Sequence, residues 1–262
     1  MDGDPEITNA FEIADDGMQG ILGYHLYVAA AVKSASFDGK FSKLPKGAIR
    51  ITWNFYRRYS PTELIENMEE IFDLVQARTS LIVLVSTFEA AIRSFVALLN
   101  NKKRDDSIFK DMDPDCNYKP LLRTVFQFVH SKKESLFGEG TDEQTKKGRQ
   151  RVPDLCLDID DARRLRNLFM HNRGIFNDKY KTDALTIPSK TPGEYSRVLE
   201  FKENTPVLLS PESYVAYSCS HIELLHYLHD LLQRQYFGLA GGGYYYRGLG
   251  KVIEWRRLLI GI

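Results

Sequence analysis

The sequence predicts a mainly α-helical protein. A helical bundle with a small β-hairpin fills residues 61–236, behind a less regular N-terminal extension of α/β character over 1–60 and ahead of a Gly-rich linker with a basic, aromatic tail over 237–262. Three observations carry this reading. Long stretches between 62 and 236 place apolar residues three and four apart, the spacing that gathers them on one helical face. Ser60-Pro61 and Ser210-Pro211 each pair a favoured N-cap residue with a proline suited to the first helical position. Finally, 262 residues with 43% hydrophobic and 12% aromatic content are enough to bury a full core.

Residues 1–60 mix Gly, Pro and aromatics without a long helical period, and "AIRITWNFYRR" alternates as a strand does. Helices follow. In "TELIENMEEIFDLVQAR" the residues Leu64, Ile65, Met68, Ile71, Phe72 and Val75 form one apolar face. "TSLIVLVSTFEAAIRSFVALLNN" is apolar nearly all round, which predicts a second, central helix buried on several sides and ended by "NNKKRDD". "YKPLLRTVFQFVHSK" gives a third helix. "KESLFGEGTDEQTKKGRQRVP" has no period and reads as a long connection, the lysines and arginines of 132–151 being solvated.

A fourth helix is expected to begin near Asp158, with Asp160 and Asp161 at its positive end, and to finish near Gly174, a natural left-handed cap. "EYSRVLEF" and "TPVLLS" pattern as the two strands of the hairpin. "SPESYVAYSCSHIELLHYLHDLLQRQY" makes a long final helix, with Val215, Ile222, Leu225, Leu228 and Leu232 on its apolar side.

Thirty-five basic and thirty-five acidic residues cancel, so affinity for nucleic acid must come from a local basic patch. Cys116, Cys156 and Cys219 are widely spaced and lack a C-x-x-C pair, which indicates neither a disulfide framework nor a zinc knuckle and fits a reducing compartment. The N-terminus is acidic, unlike a secretory signal, and no run reads as the roughly 18 apolar residues of a membrane span. A cytoplasmic protein with no membrane partner is expected.

The fourth helix is unusual. "RRLRNLFMHNRGIFN", residues 163–177, holds four arginines, three asparagines and one histidine among positions with the apolar spacing of a helix. Asn167 and His171, four apart, share a face with Arg163 and Arg164 a turn earlier. Arg166 lies five positions before His171, about 140° round the helix, so one chain presents the two side by side only by reaching, whereas two facing copies would do so readily. An imidazole can exchange a proton near neutral pH and a guanidinium holds a fixed charge. Cleavage of RNA by its own 2′-hydroxyl needs a base, an acid and a cation for the phosphorane, and His171 with Arg166 meets those needs without a metal. Basic residues late in a helix also suit its dipole, and a lone histidine is commonly just packed. Arg123 and His130 in "RTVFQFVH" form a looser version of the same spacing, so spacing alone does not single out a site.

"RNLFMHNRG" resembles the Arg-polar-x3-His signature of the HEPN superfamily, with Asn167 as the polar residue and Asn172 and Gly174 closing the helix. An upstream helix with "FEAAIRSF", the signature helix, a small strand pair and a Ser-initiated last helix are similar in order to prokaryotic HEPN proteins. The resemblance covers residues 62–236. It implies a helical bundle that dimerises around two copies of the signature, and a metal-independent endoribonuclease used in toxin–antitoxin or antiphage defence. By position, Arg166 and His171 would be catalytic and Asn167 supporting. Arg163, Arg164, Arg173 and Asn172 would bind RNA. Glu89 would either orient one of these groups or be an ordinary exposed helical glutamate. RNA, a second copy of the chain and an antitoxin or defence protein are the implied partners, with no cofactor. A non-catalytic HEPN module that binds RNA or a partner protein is the alternative, and a structural scaffold a third. His221, His226 and His229 lack the H-E-x-x-H order and have no matching acidic cluster, so no metal site is expected.

Overall fold

The computed structural model describes residues 4–37, 68–102, 107–110, 112–137, 143–172, 174–187, 207 and 209–238. These form seven helices: α1 (Pro5–Phe37), α2 (Met68–Asn101), α3 (Tyr118–Ser131), α4 (Lys133–Phe137), α5 (Glu143–His171), α6 (Asp178–Thr182) and α7 (Pro211–Phe237). The mainly α expectation holds. Most of the expected hairpin, the strand "AIRITWNFYRR" and the tail from 239 onward lie outside the described residues.

The N-terminal segment corrects the sequence reading. Asp4 caps α1, its Oδ1 accepting from the backbone of Glu6 at 3.0 Å and Ile7 at 3.2 Å, with Pro5 at the first helical position. Ile7, Phe11, Ala14, Met18 and Leu22 then recur at helical spacing and are buried against α2 and α7. This helix belongs to the core and is not an irregular extension. Gln233 near the end of α7 donates to the Asp4 carbonyl and to Thr8 Oγ1, both at 3.0 Å, which ties the two chain regions together.

The two helices expected on either side of Arg78 are one. α2 runs unbroken for 34 residues and buries Leu81, Leu84, Phe88, Ile92, Phe95 and Leu99. Its segment Val75–Asn101 has a mean hydropathy of 1.9 and is long and apolar enough, by length and composition, to cross a bilayer, contrary to the sequence reading. In this fold it packs against α1, α5 and α7 and carries Glu89 and Arg93 as an ion pair at 2.6 Å.

The enclosed helix is α7, not α2. Every residue from Tyr217 to Gln233 is buried, including polar ones that a core helix excludes unless they are partnered. Ser220 donates to Asp158 at 2.5 Å, Tyr227 to Glu223 at 2.7 Å, and His226 Nε2 lies 3.1 Å from Asp15. Ser210 caps α7 by accepting from Ser213 N at 3.2 Å, Pro211 sits in its first turn, and Gly238 ends it at φ +68°, as the Ser-Pro start predicted.

The expected long connection is largely helical too. α5 starts at Glu143, some fifteen residues before the expected start near Asp158, and continues through Pro153. Val152, Leu155, Cys156 and Ile159 are buried, and Arg151 pairs with Glu223 of α7 at 3.2 Å, so tertiary packing holds the helix despite the proline. A side chain at Gly148 would collide with Phe137, so the glycine lets α4 lie against α5.

Candidate functional site

The C-terminal half of α5 builds one wall of a cavity of about 360 Å³. Asp160 and Asp161 are not at the positive end of a helix. They lie mid-helix, at most 2% exposed, and need partners. Arg163 supplies one, donating from Nε and Nη2 to Asp160 Oδ1 at 3.0 and 2.8 Å and from Nη1 to Asp183 Oδ2 at 2.6 Å. Arg164 Nε stands 3.2 Å from Asp160 Oδ2, and its guanidinium lies 4.4 Å from the centre of the Tyr180 ring. The hydroxyls of Tyr180 and Tyr217 both donate to Asp161. Leu185 N donates to Asp160 Oδ2 at 3.0 Å. This network fastens α6 and the segment after it to α5.

The expectation that Arg163 and Arg164 steer phosphate is therefore revised. Both border the cavity, yet both are 3% exposed and committed to carboxylates. Burial works against the charge of Arg163, but Asp160 and Asp183 outweigh it and hold its pKa above the ordinary value. Burial likewise works to raise Asp183, and Lys119 and Arg163 overcome it and hold the carboxyl below its usual range.

Arg166 and His171 line the same cavity, together with Asn167 and Asn172. Despite the offset of about 140° between them both border it, and the Arg166 guanidinium turns to Asn167 and Glu89. Arg166 Nη1 donates to Asn167 Oδ1 at 3.1 Å, and its Nη2 lies 3.7 Å from Glu89 Oε2 on α2. Glu89 is thus not an ordinary surface glutamate. Its Oε1 accepts from Arg93 Nε at 3.2 Å and Nη2 at 2.6 Å, and Arg93 is anchored in turn on the carbonyl of Cys116 at 2.9 Å. Against this group sits Tyr118, whose buried hydroxyl has its pKa driven far up by burial and then by Glu89.

His171 ends α5 and is exposed. The turn after it is pinned. The Asn172 amide donates to the Ile175 carbonyl, Gly174 adopts φ +76°, and Val207 N donates to the Gly174 carbonyl at 2.8 Å. Arg78 donates to the Val207 carbonyl and lies 5.1 Å from the centre of the Phe169 ring. Arg173 lies outside the described residues.

The remaining histidines serve packing. Burial pushes His221 down to about 4, its Nδ1 lies 2.7 Å from the Tyr217 carbonyl, and Phe88 meets its ring edge-on. His229 stacks on Phe11 at 4.2 Å and is also pushed down to about 4 by burial. Arg123 is exposed and His130 half-buried on α3, and neither borders the cavity. Sequence reasoning missed several polar lining residues: Asn117 and Lys119 at the start of α3, Asn177, Lys179 and Tyr180 at the start of α6, and Asp183. No protein-family model, curated protein or solved structure matches this chain.

Proposed function

We propose that this protein is a metal-independent endoribonuclease of HEPN type, acting in the cytoplasm with Arg166 and His171 as its catalytic pair. The observation that supports it best is the convergence of Arg166, Asn167 and His171 on one cavity, with Arg166 steadied by Asn167 and Glu89. In this reading His171 takes the proton of the ribose 2′-hydroxyl as that oxygen attacks phosphorus, or returns a proton to the departing 5′-oxygen. The P–O5′ bond breaks, leaving a 2′,3′-cyclic phosphate and a 5′-hydroxyl. Arg166 faces the charge that builds on the non-bridging oxygens. Asn167 and Glu89 hold Arg166 in place.

A second copy of the chain would add a second imidazole, so that one histidine accepts the proton and the other donates. Met170, 53% exposed beside His171, offers such a copy an apolar contact. The family resemblance would set the activity in toxin–antitoxin or antiphage defence, with an antitoxin or defence protein as partner. The test is incubation of the purified protein with RNA in EDTA. The proposal expects cleavage with 2′,3′-cyclic phosphate ends and an untouched DNA of the same sequence, because DNA has no 2′-hydroxyl. RNA bound but uncut would select the non-catalytic RNA-binding module instead.

A further inference from the structure

α1 has apolar residues on two sides. Ile7, Phe11, Met18 and Leu22 are buried in the core, whereas Ile13 stays 66% exposed on the wall of a groove of about 520 Å³ between α1 and α2. Residues of these two helices alone line it. On the α2 side Thr87, Ala90, Ser94 and Ala97 follow one another at steps of three and four, the spacing of a helix seam. On the α1 side Ala10 and Ala14 are equally small, and at Gly17 the two helices come so close that an added Cβ would stand 3.3 Å from Thr87 Cγ2. Small side chains on the floor leave depth for larger ones from outside, and a large aliphatic in water beside such a floor marks a contact surface.

The chain itself supplies a segment of matching pattern. Residues 239–262 follow Gly238 and lie outside the described residues. α7 brings them to one end of the groove, since Gln233 donates to the Asp4 carbonyl and to Thr8 Oγ1 at 3.0 Å, beside Glu6 and Asn9 of the lining. The stretch 239–250 reaches at most about 40 Å. A helix is only about 10–12 Å across, so that reach carries the chain round the end of α1. Beyond it, "KVIEWRRLLIGI" places Val252, Trp255, Leu259 and Ile262 at steps of three, four and three, the spacing by which a segment shows one apolar side to a groove.

Charge agrees with this pairing. Residues 239–262 hold Arg247, Lys251, Arg256 and Arg257 against Glu254 alone. α1 carries Glu6, Glu12, Asp15 and Asp16 with no Lys or Arg before Lys33, and Glu6, Glu12 and Asp16 are exposed. Opposite charges on the two surfaces favour the encounter and fix its register.

We propose that residues 251–262 dock in the groove between α1 and α2 of the same chain, with Trp255 and its apolar neighbours against Ile13 and the alanines and the arginines toward the acids of α1. This docking is independent of the RNA reading given above.

The test is tryptophan fluorescence of the full chain carrying Trp53→Phe, which leaves Trp255 as its single tryptophan. The emission of Trp255 is expected to lie to the blue of the urea-unfolded chain and to be independent of protein concentration. Ala90→Lys with Ser94→Lys, at two exposed positions of the groove, is expected to move it to the unfolded-chain position with an unchanged far-UV circular dichroism spectrum. Arg256→Glu with Arg257→Glu, outside the helical core, is expected to move it the same way. If only one pair moves it, the groove pair decides, and if the groove pair loses helical signal the arginine pair decides. Emission already at the unfolded-chain position in the parent would overturn the docking, as would blue-shifted emission that neither pair moves. A blue shift that appears only as concentration rises, with a dimer in light scattering, would place the segment in a second copy and overturn docking within one chain.

Discussion

Arg163 and Arg166 stand three positions apart on α5 and have different surroundings. Arg163 is 3% exposed and joins Asp160 to Asp183, whereas Arg166 keeps 24% of its side chain exposed and faces the cavity. Removing the first leaves buried carboxylates without their cation, so Arg163→Ala should lower the unfolding free energy by about 3–5 kcal/mol in urea titration. Arg166→Ala should stay within about 1 kcal/mol of the parent and lose at least about 100-fold in RNA cleavage. Equal stability losses in both would contradict the division. The pattern Asp160-Asp161-x-Arg163-Arg164 carries i,i+3 and i,i+4 pairings, yet the sequence reading gave the carboxylates to the helix dipole and the arginines to phosphate. The partners that complete it, Tyr180, Asp183 and Tyr217, come from later segments and were not legible in the sequence.

Among the elements, the ends of α5 and α7 were readable because single residues decide them. Gly174 at φ +76° closes the turn after the signature, and a Cβ there would lie 3.2 Å from Phe169 Cδ1. Gly174→Ala should therefore cost about 1–2 kcal/mol in urea titration and reduce RNA cleavage by displacing the turn that follows His171. An unchanged midpoint would show that the backbone there is not constrained. α1 was missed although Asp4-Pro5 and the 7-11-14-18-22 spacing announce it, because Gly17, Gly20 and Gly23 and scattered acids dilute the pattern. The start of α5 was missed for the opposite reason: Pro153 reads as a boundary, and only packing on α7 overrides it.

Over the whole molecule, the core encloses neutral histidines. His25, His221 and His229 are each pushed from 6.5 down to about 4, in every case by burial first. Unfolded, they take up protons near 6.5, and folded they resist until about 4, so stability is complete above 6.5 and falls as pH drops toward 4. For His221 this amounts to on the order of 3 kcal/mol at pH 4. Thermal unfolding should show a plateau above pH 7 and a steady fall in Tm below 6.5, and a Tm constant down to pH 4.5 would contradict the burial of these rings.

The cavity itself was only partly legible at this scale. Arg166 and His171 were found from one helix, whereas Asn117, Lys119, Asn177 and Lys179 are brought to the same cavity by the packing of α3 and α6. The catalytic role of His171 is tested by the rate of RNA cleavage by His171→Ala beside the unsubstituted protein, in EDTA, with far-UV circular dichroism recorded on both. A loss of at least about 100-fold with an unchanged helical spectrum is expected, since an exposed residue at a helix end contributes little to the core. Cleavage at the parent rate by the folded variant would contradict it.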